Sequence, residues 1–72
     1  MVRRYRVGIT IHGSTEEFRT GSLGNREALE IYYVLTNAKK PARVYGLEKG
    51  GKTRFLNRSS IERMARRLGI IE

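Results

Sequence analysis

Cysteine and aspartate are absent from this sequence of 72 residues, and histidine and proline each occur once. Without cysteine the chain has no disulfide framework and no thiolate metal ligand, so its stability must come from packing, oligomerisation or a bound partner. A single histidine without cysteine also argues against a zinc or other transition-metal site. We therefore expect no metal, no cofactor and a reducing, cytoplasmic setting.

Long apolar runs are missing as well. No stretch approaches the roughly 20 apolar residues that a membrane-spanning helix needs. After the basic residues 3–4, polar and apolar residues alternate where a secretory signal would have an apolar run. The sequence accordingly predicts one small intracellular domain over residues 1–72, with no membrane contact.

Positive charge is abundant and concentrated in the second half. Ten of the fifteen Lys and Arg residues lie between Lys39 and Arg67, where only Glu48 and Glu62 oppose them. Such a field attracts phosphate backbones, because neutralising phosphates releases condensed counterions. Most of these cations are arginines, whose planar fork suits phosphate. The alternative explanation is a solvated, highly charged surface of the kind found in heat-tolerant proteins.

The first third of the chain has the pattern of a β-hairpin. Residues 5–11 alternate between apolar and polar, which predicts a half-buried strand. Gly13-Ser14 suits a two-residue type II′ turn. Closing the hairpin there pairs Val7 with Thr20, Gly8 with Arg19, Ile9 with Phe18 and Thr10 with Glu17.

A helix is predicted over residues 26–36, with Asn25 as its N-cap. Its buried stripe should contain Ala28, Ile31, Tyr32 and Leu35. Asn37 can adopt the left-handed conformation that ends a helix, and Pro41 cannot continue it. Residues 20–24, between the first hairpin and this helix, are predicted to form a loop.

A second hairpin is predicted from residues 43–47 and 53–56, joined across Gly50-Gly51. Its register has two solutions. A two-residue loop places Val44, Gly46 and Phe55 inside, and a three-residue loop with a glycine bulge places Tyr45, Leu47 and Phe55 inside. We favour the three-residue loop, because it separates charged from apolar side chains more cleanly.

The last predicted element is a helix that begins with a capping box, Ser59 to Glu62. Its buried stripe comprises Ile61, Met64, Ala65 and Leu68. Gly69 fits the left-handed position that stops it. Since neither strand–strand–helix half can bury its apolar faces alone, we predict an α+β fold, ββαββα, with a four-stranded, mainly antiparallel sheet and both helices on one face.

Residues 46–53 match the P-loop pattern G-x-x-x-x-G-K-T. A P-loop needs a helix beginning at its Lys-Thr, but the residues after Lys52 have a strand pattern. The chain also has no aspartate to hold magnesium. We therefore interpret Gly50-Gly51 as a hairpin tip, whose N–H groups, flanked by Lys49 and Lys52, can approach a phosphate backbone.

Basic side chains of both hairpins are predicted to form an outer sheet surface that contacts phosphates: Arg4, Arg6, Arg19, Arg43, Lys49, Lys52 and Arg54. The last helix provides a second contact surface or a merely solvated face: Arg58, Arg63, Arg66 and Arg67. Glu62 is expected to pair with Arg66. Because the tyrosines fall mostly on apolar stripes, we expect contacts to the phosphate backbone rather than base stacking.

His12 ends the first predicted strand on its polar face, with Glu16 and Glu17 across the turn. A His–Glu pair can perform general acid–base chemistry, but no nucleophile converges on it. The short basic chain, with a final amphipathic helix and Leu68-Gly69-Ile70, resembles small ribonuclease toxins with a double-stranded-RNA-binding fold. Those begin with a helix and carry glycine before the strand histidine, whereas here Gly13 follows His12. A small ribonuclease using His12 stays a minor alternative, and no catalytic residue is assigned.

Charge distribution and predicted fold together favour a non-enzymatic domain that binds DNA or RNA through phosphates, with the second hairpin and the last helix as the main contact surface. The alternative is a small adaptor or inhibitor, of the type that viruses and mobile elements encode, whose basic face docks on an acidic protein. Apolar residues outside the helix stripes are compatible with a homodimer. They are Tyr33, Val34, Ile70 and Ile71.

Overall fold

The computed structural model describes residues 4–10 and 16–71, which form four strands and two helices in the predicted order ββαββα. The elements are β1 (Arg4–Thr10), β2 (Glu17–Arg19), α1 (Asn25–Asn37), β3 (Ala42–Leu47), β4 (Thr53–Phe55) and α2 (Arg58–Arg67). The strands form one antiparallel sheet in the order β2-β1-β3-β4. The predicted α+β fold is thus confirmed, with β1 and β3 as central strands.

The register of the first hairpin is also as predicted. Gly8 lies opposite Arg19, Ile9 opposite Phe18 and Thr10 opposite Glu17. The Thr20 amide donates to the Val7 carbonyl at 2.9 Å, which continues the same register. The predicted turn at residues 13–14 and the strand end at His12 lie outside the described residues.

The core forms between one face of the sheet and both helices. Val7 of β1 lies directly opposite Val44 of β3, and both are fully buried. The two helices cover them with Ala28, Leu29, Ile61 and Ala65. Leu29, which the predicted stripe of α1 omitted, is buried because α1 packs against both central strands and therefore buries a wider face. None of the described helices is long and apolar enough to cross a membrane.

The β3–β4 hairpin has the favoured three-residue loop, but its inner face was wrongly predicted. Tyr45 lies opposite Phe55 and Leu47 opposite Thr53. Gly50 and Gly51, with φ of 90° and 82°, supply the left-handed conformations that this loop requires. However, Val44 pairs with Val7 and therefore faces the helices, so Tyr45 faces the opposite side.

The helix ends differ from the prediction by one or two residues. α1 begins after Gly24 rather than after a capping Asn25, and Lys39, with φ of 62°, takes the left-handed position expected for Asn37. At α2 the Asn57 side chain accepts a 2.8 Å hydrogen bond from the Ser60 amide. Ser59 is not the cap, because the helix already begins at Arg58.

The stripe and end of α2 are as predicted. Ile61 and Ala65 are buried, and Met64 and Leu68 pack against the core. Gly69 ends the helix with φ of 75°.

Candidate nucleic-acid interface

The sheet surface opposite the helices, called the open face below, carries the densest set of functional groups. Because side chains alternate along a strand, the pairing register assigns it alternate residues of each strand. They are Arg4, Arg6, Gly8 and Thr10 from β1, Glu17 and Arg19 from β2, Arg43, Tyr45 and Leu47 from β3, and Thr53 and Phe55 from β4. The open face therefore holds four arginines, one glutamate and two aromatic rings.

Tyr45, Glu17 and Arg19 form a hydrogen-bonded cluster at the centre of this face. The Tyr45 hydroxyl donates to the Glu17 carboxylate, with oxygen–oxygen distances of 2.9 and 3.1 Å. Arg19 Nε donates to Glu17 Oε1 at 2.8 Å. The Arg19 guanidinium also lies 4.1 Å from the Tyr45 ring centroid, in cation–π contact. Tyr45 is consequently only 8% exposed although no helix covers it.

Gly8 provides the space for this cluster. Tyr45 is on β3 and Glu17 is on β2, so their side chains meet above the intervening strand β1 at Gly8. A Cβ atom at Gly8 would lie 2.7 Å from the Glu17 carboxylate and 2.9 Å from the Tyr45 ring. The cluster therefore requires glycine at this position for steric reasons.

The cluster keeps Glu17 ionised. The hydrogen bond from Arg19 has the largest effect and lowers the pKa of Glu17. Burial has the second-largest effect and raises this pKa, and the Tyr45 hydroxyl and the charges of Arg19 and Arg43 lower it further. The same hydrogen bond raises the pKa of Arg19 above its ordinary value. Part of the charge of Arg19 is thus neutralised by Glu17, which leaves the other arginines to attract an anion.

Phe55 is the exposed aromatic ring of the open face. Its side chain is 59% exposed on the edge strand β4, and its ring centroid lies 6.1 Å from that of Tyr45. The Arg43 guanidinium lies 5.9 Å from the Phe55 ring. The sequence prediction placed both Tyr45 and Phe55 inside. The structure instead gives the basic face two neighbouring rings, each with an arginine beside it.

Arg4, Arg6 and Arg43 differ in how firmly they are held. Arg4 donates from Nε to Ser22 Oγ and from its terminal nitrogen to the Ser22 carbonyl, both at 2.8 Å. Arg6 is half-buried next to Tyr45, and its Nε atom has no hydrogen-bond partner among the described residues. Arg43 is exposed and makes no carboxylate ion pair in the described part of the chain. Arg43 therefore retains its donors for a ligand, and Arg6 retains only the terminal nitrogens of its guanidinium, because its Nε atom is buried.

The remaining predicted cations lie elsewhere. Arg54 lies opposite Gly46 and hence on the helix side of β4, and Lys49 and Lys52 occupy the hairpin tip. The α2 arginines lie on the helix side of the sheet: Arg58, Arg63, Arg66 and Arg67. Glu62 pairs with Arg58 at 3.1 Å and not, as predicted, with Arg66. The predicted site residues thus form two basic surfaces on opposite sides of the sheet.

A cleft on the helix side was not predicted. It has a volume of about 430 Å³ and lies between α1 and α2, where Tyr32, Tyr33, Ile61 and Glu62 contribute to its walls. Burial raises the pKa of Tyr33, and its hydroxyl is buried without a hydrogen-bond partner among the described residues. His12, the residue of the ribonuclease alternative, lies outside the described residues.

Comparisons with protein-family models, with curated proteins and with solved structures gave no match. The geometry of the open face is therefore the basis for a functional assignment.

Proposed function

We propose that this protein binds nucleic acid through the open face of its sheet, with phosphate oxygens contacting Arg6 and Arg43. The observation that carries the proposal is the composition of this face, on which strand pairing places four arginines and one glutamate of the described residues. Arg19 is paired with that glutamate and Arg4 is bonded to Ser22, which leaves Arg6 and Arg43 for a ligand. An uncovered surface of this sign attracts a polyanion, and the counterions that the polyanion releases add to the binding free energy.

The arrangement of donors supports phosphate as the group that is bound. A guanidinium presents several N–H donors in one plane and binds two phosphate oxygens at once. Arg43 is exposed and Arg6 is half-buried, and neither makes a carboxylate ion pair in the described part of the chain. They lie on neighbouring strands, since Arg6 pairs with Tyr45 and Gly8 pairs with Arg43. Two such donors side by side are suited to adjacent phosphates of one strand.

The other cations of the chain have a supporting role in this proposal. The lysines of the hairpin tip extend the positive surface beyond β3 and β4. The α2 arginines lie on the opposite side of the sheet, so a ligand on the open face does not contact them. They raise the overall positive field and hence the rate of encounter with a polyanion.

The test is a salt titration of nucleic-acid binding. Fluorescence anisotropy of a labelled single strand and a labelled duplex is measured between about 50 and 200 mM salt. We expect log affinity to fall linearly with log salt, with a slope of about −0.7 per contacted phosphate of the single strand and about −0.9 per contacted phosphate of the duplex. Absence of binding at 50 mM salt, or an affinity that salt does not change, would contradict the proposal.

A control experiment distinguishes the two candidate partners, nucleic acid and an acidic protein. The purified protein is passed over immobilised polyglutamate with and without nuclease treatment. Two displacement experiments are compared: free oligonucleotide against protein bound to polyglutamate, and free polyglutamate against protein bound to oligonucleotide. We expect the oligonucleotide to displace the protein at the lower concentration. The reverse order would favour a basic adaptor over a nucleic-acid-binding domain.

A further inference from the structure

We propose that the ligand of the open face is a single strand, with one unpaired base stacked on Phe55. This inference rests on the proposed function and names the class of nucleic acid that the face accepts. It departs from the expectation of backbone contact alone, because the two rings lie on the basic face and not in the core.

Phe55 has the exposure that a stacking platform requires. Its ring is 59% exposed, whereas the neighbouring Tyr45 ring is 8% exposed under Arg19. An exposed phenylalanine contributes little to the core, and Phe55 does not belong to the set of residues that pack against it. A base has a planar apolar face of its own, so stacking removes apolar surface of both partners from water.

Phe55 and its neighbouring arginines are placed to bind the two parts of a nucleotide, the base on the ring and the phosphate on a guanidinium. Phe55, Tyr45 and Arg6 lie side by side on β4, β3 and β1. Neighbouring strands are about 4.8 Å apart, so Arg6 lies about 10 Å from Phe55 across the sheet. Arg43 lies closer, with its guanidinium 5.9 Å from the Phe55 ring. A base on Phe55 therefore has a cation beside it for its own phosphate and a second cation within reach of the next.

A duplex cannot make this stacking contact, because its bases are already stacked on each other. The bases of a duplex are stacked on each other and expose only their edges, within grooves that a sheet surface does not enter face-on. A single strand can turn its bases outward onto an aromatic ring. The open face combines such a ring with flanking arginines, which is the arrangement that non-specific single-strand binding uses.

The experiment compares four probes of about 12 nucleotides: oligouridine, oligothymidine, a duplex and an abasic phosphodiester of equal charge. The variant is Phe55→Leu, and the matched control is Phe18→Leu, because Phe18 is 63% exposed but on the other side of the sheet. We expect Phe55→Leu to weaken both single strands about 5- to 100-fold and to leave the abasic probe unchanged. Phe18→Leu should leave all four affinities unchanged.

Two further observations complete the test. Phe55→Trp keeps an aromatic face and should bind the single strands at least as tightly as wild type. The unchanged affinity of Phe55→Leu for the abasic probe excludes a folding defect as the cause of its loss. A fifth probe, oligodeoxyuridine, differs from oligouridine only in the 2′-hydroxyl, so the ratio of these two affinities shows whether the face prefers RNA or DNA.

The outcomes separate the two proposals. Equal affinity for the abasic probe and the base-containing strands, with normal salt dependence, would overturn base stacking and leave the proposed function intact. Tighter binding of the duplex than of either single strand would also overturn base stacking. Failure to bind any of the four probes would overturn the proposed function itself.

Discussion

The Tyr45 hydroxyl lies 2.9 and 3.1 Å from the two carboxylate oxygens of Glu17, and this pair joins β3 to the edge strand β2 above β1. A strand of only three residues has few backbone hydrogen bonds to hold it in the sheet. The pair of Tyr45 and Glu17 connects β2 to β3, the central strand that lies beyond its direct neighbour β1. It also fixes Arg19, which donates to the same carboxylate and covers the Tyr45 ring.

Gly8→Ala should disrupt this pair. The added methyl group would lie 2.7 Å from the Glu17 carboxylate, and either Glu17 or the Tyr45 ring must move. We expect a loss of about 1 to 3 kcal/mol in the free energy of unfolding, measured by urea denaturation. Gly21→Ala is the control, because no atom lies within 4 Å of a methyl group there. Equal stability of the two variants would contradict the steric role of Gly8.

Glu17→Gln should reduce stability near neutral pH but not in acid. The pKa of Glu17 is lowered in the folded protein, so its ionised form stabilises the fold. That contribution is complete above the ordinary value of 4.5 and is lost as the pH falls through the lower, folded-state value. Denaturation at pH 7 and at pH 2.5 should show a gap between wild type and variant that narrows in acid. A gap of constant size would mean that the charge of Glu17 does not stabilise the sheet.

Two tyrosine-to-phenylalanine variants should behave differently. Tyr45→Phe removes a hydrogen bond to a carboxylate and should cost about 1 to 2 kcal/mol of unfolding free energy. Tyr33→Phe removes a buried hydroxyl that has no partner among the described residues, so stability should stay the same or rise by up to about 1 kcal/mol. Thermal denaturation compares them. A larger loss for Tyr33→Phe would show that the cleft hydroxyl is bonded in solution.

Asn57→Ala should destabilise α2, since the Asn57 side chain accepts from the Ser60 amide. We expect a cost of about 0.5 to 2 kcal/mol, measured by chemical denaturation. Ser59→Ala lies within the helix and should change stability by less than about 0.5 kcal/mol. A larger loss of stability in Ser59→Ala than in Asn57→Ala would instead support the predicted capping box of Ser59 and Glu62.

The strands, turns and helix ends of this fold were predictable because each depends mainly on residues that are close in sequence. Alternation over residues 5–11 and the turn predicted at residues 13–14 led to the predicted pairing of Gly8 with Arg19, which the structure confirms. The left-handed end at Gly69 was likewise predictable from one residue type. Asn57 was missed because a serine two residues later matched a longer pattern.

The candidate site was only partly predictable, because it depends on contacts between distant parts of the chain. β3 has apolar residues on both faces, so alternation alone does not decide whether Val44 or Tyr45 meets the helices. The decision comes from the pairing of Val44 with Val7, which no short-range pattern contains. A useful signal was present, however, since Arg43 and Tyr45 share a face at any register.

The division of the basic residues between two surfaces has the same origin. Composition showed that cations are concentrated after residue 38, but the sheet separates the cations of α2 from those of β3. Conversely, Arg6 comes from the first part of the chain and joins Arg43 through strand pairing. Residues close in sequence are thus divided, and residues far apart are brought together.

The central claim is that the open face, and not α2, holds the nucleic acid. It is tested most directly by two charge-matched double variants, Arg6→Gln with Arg43→Gln and Arg63→Gln with Arg67→Gln. For a single strand we predict that the first pair makes the slope of log affinity against log salt shallower by about 1.4, at 0.7 per lost phosphate contact, while the second leaves it nearly unchanged. An equal change in both, or a larger change from the α2 pair, would contradict the account.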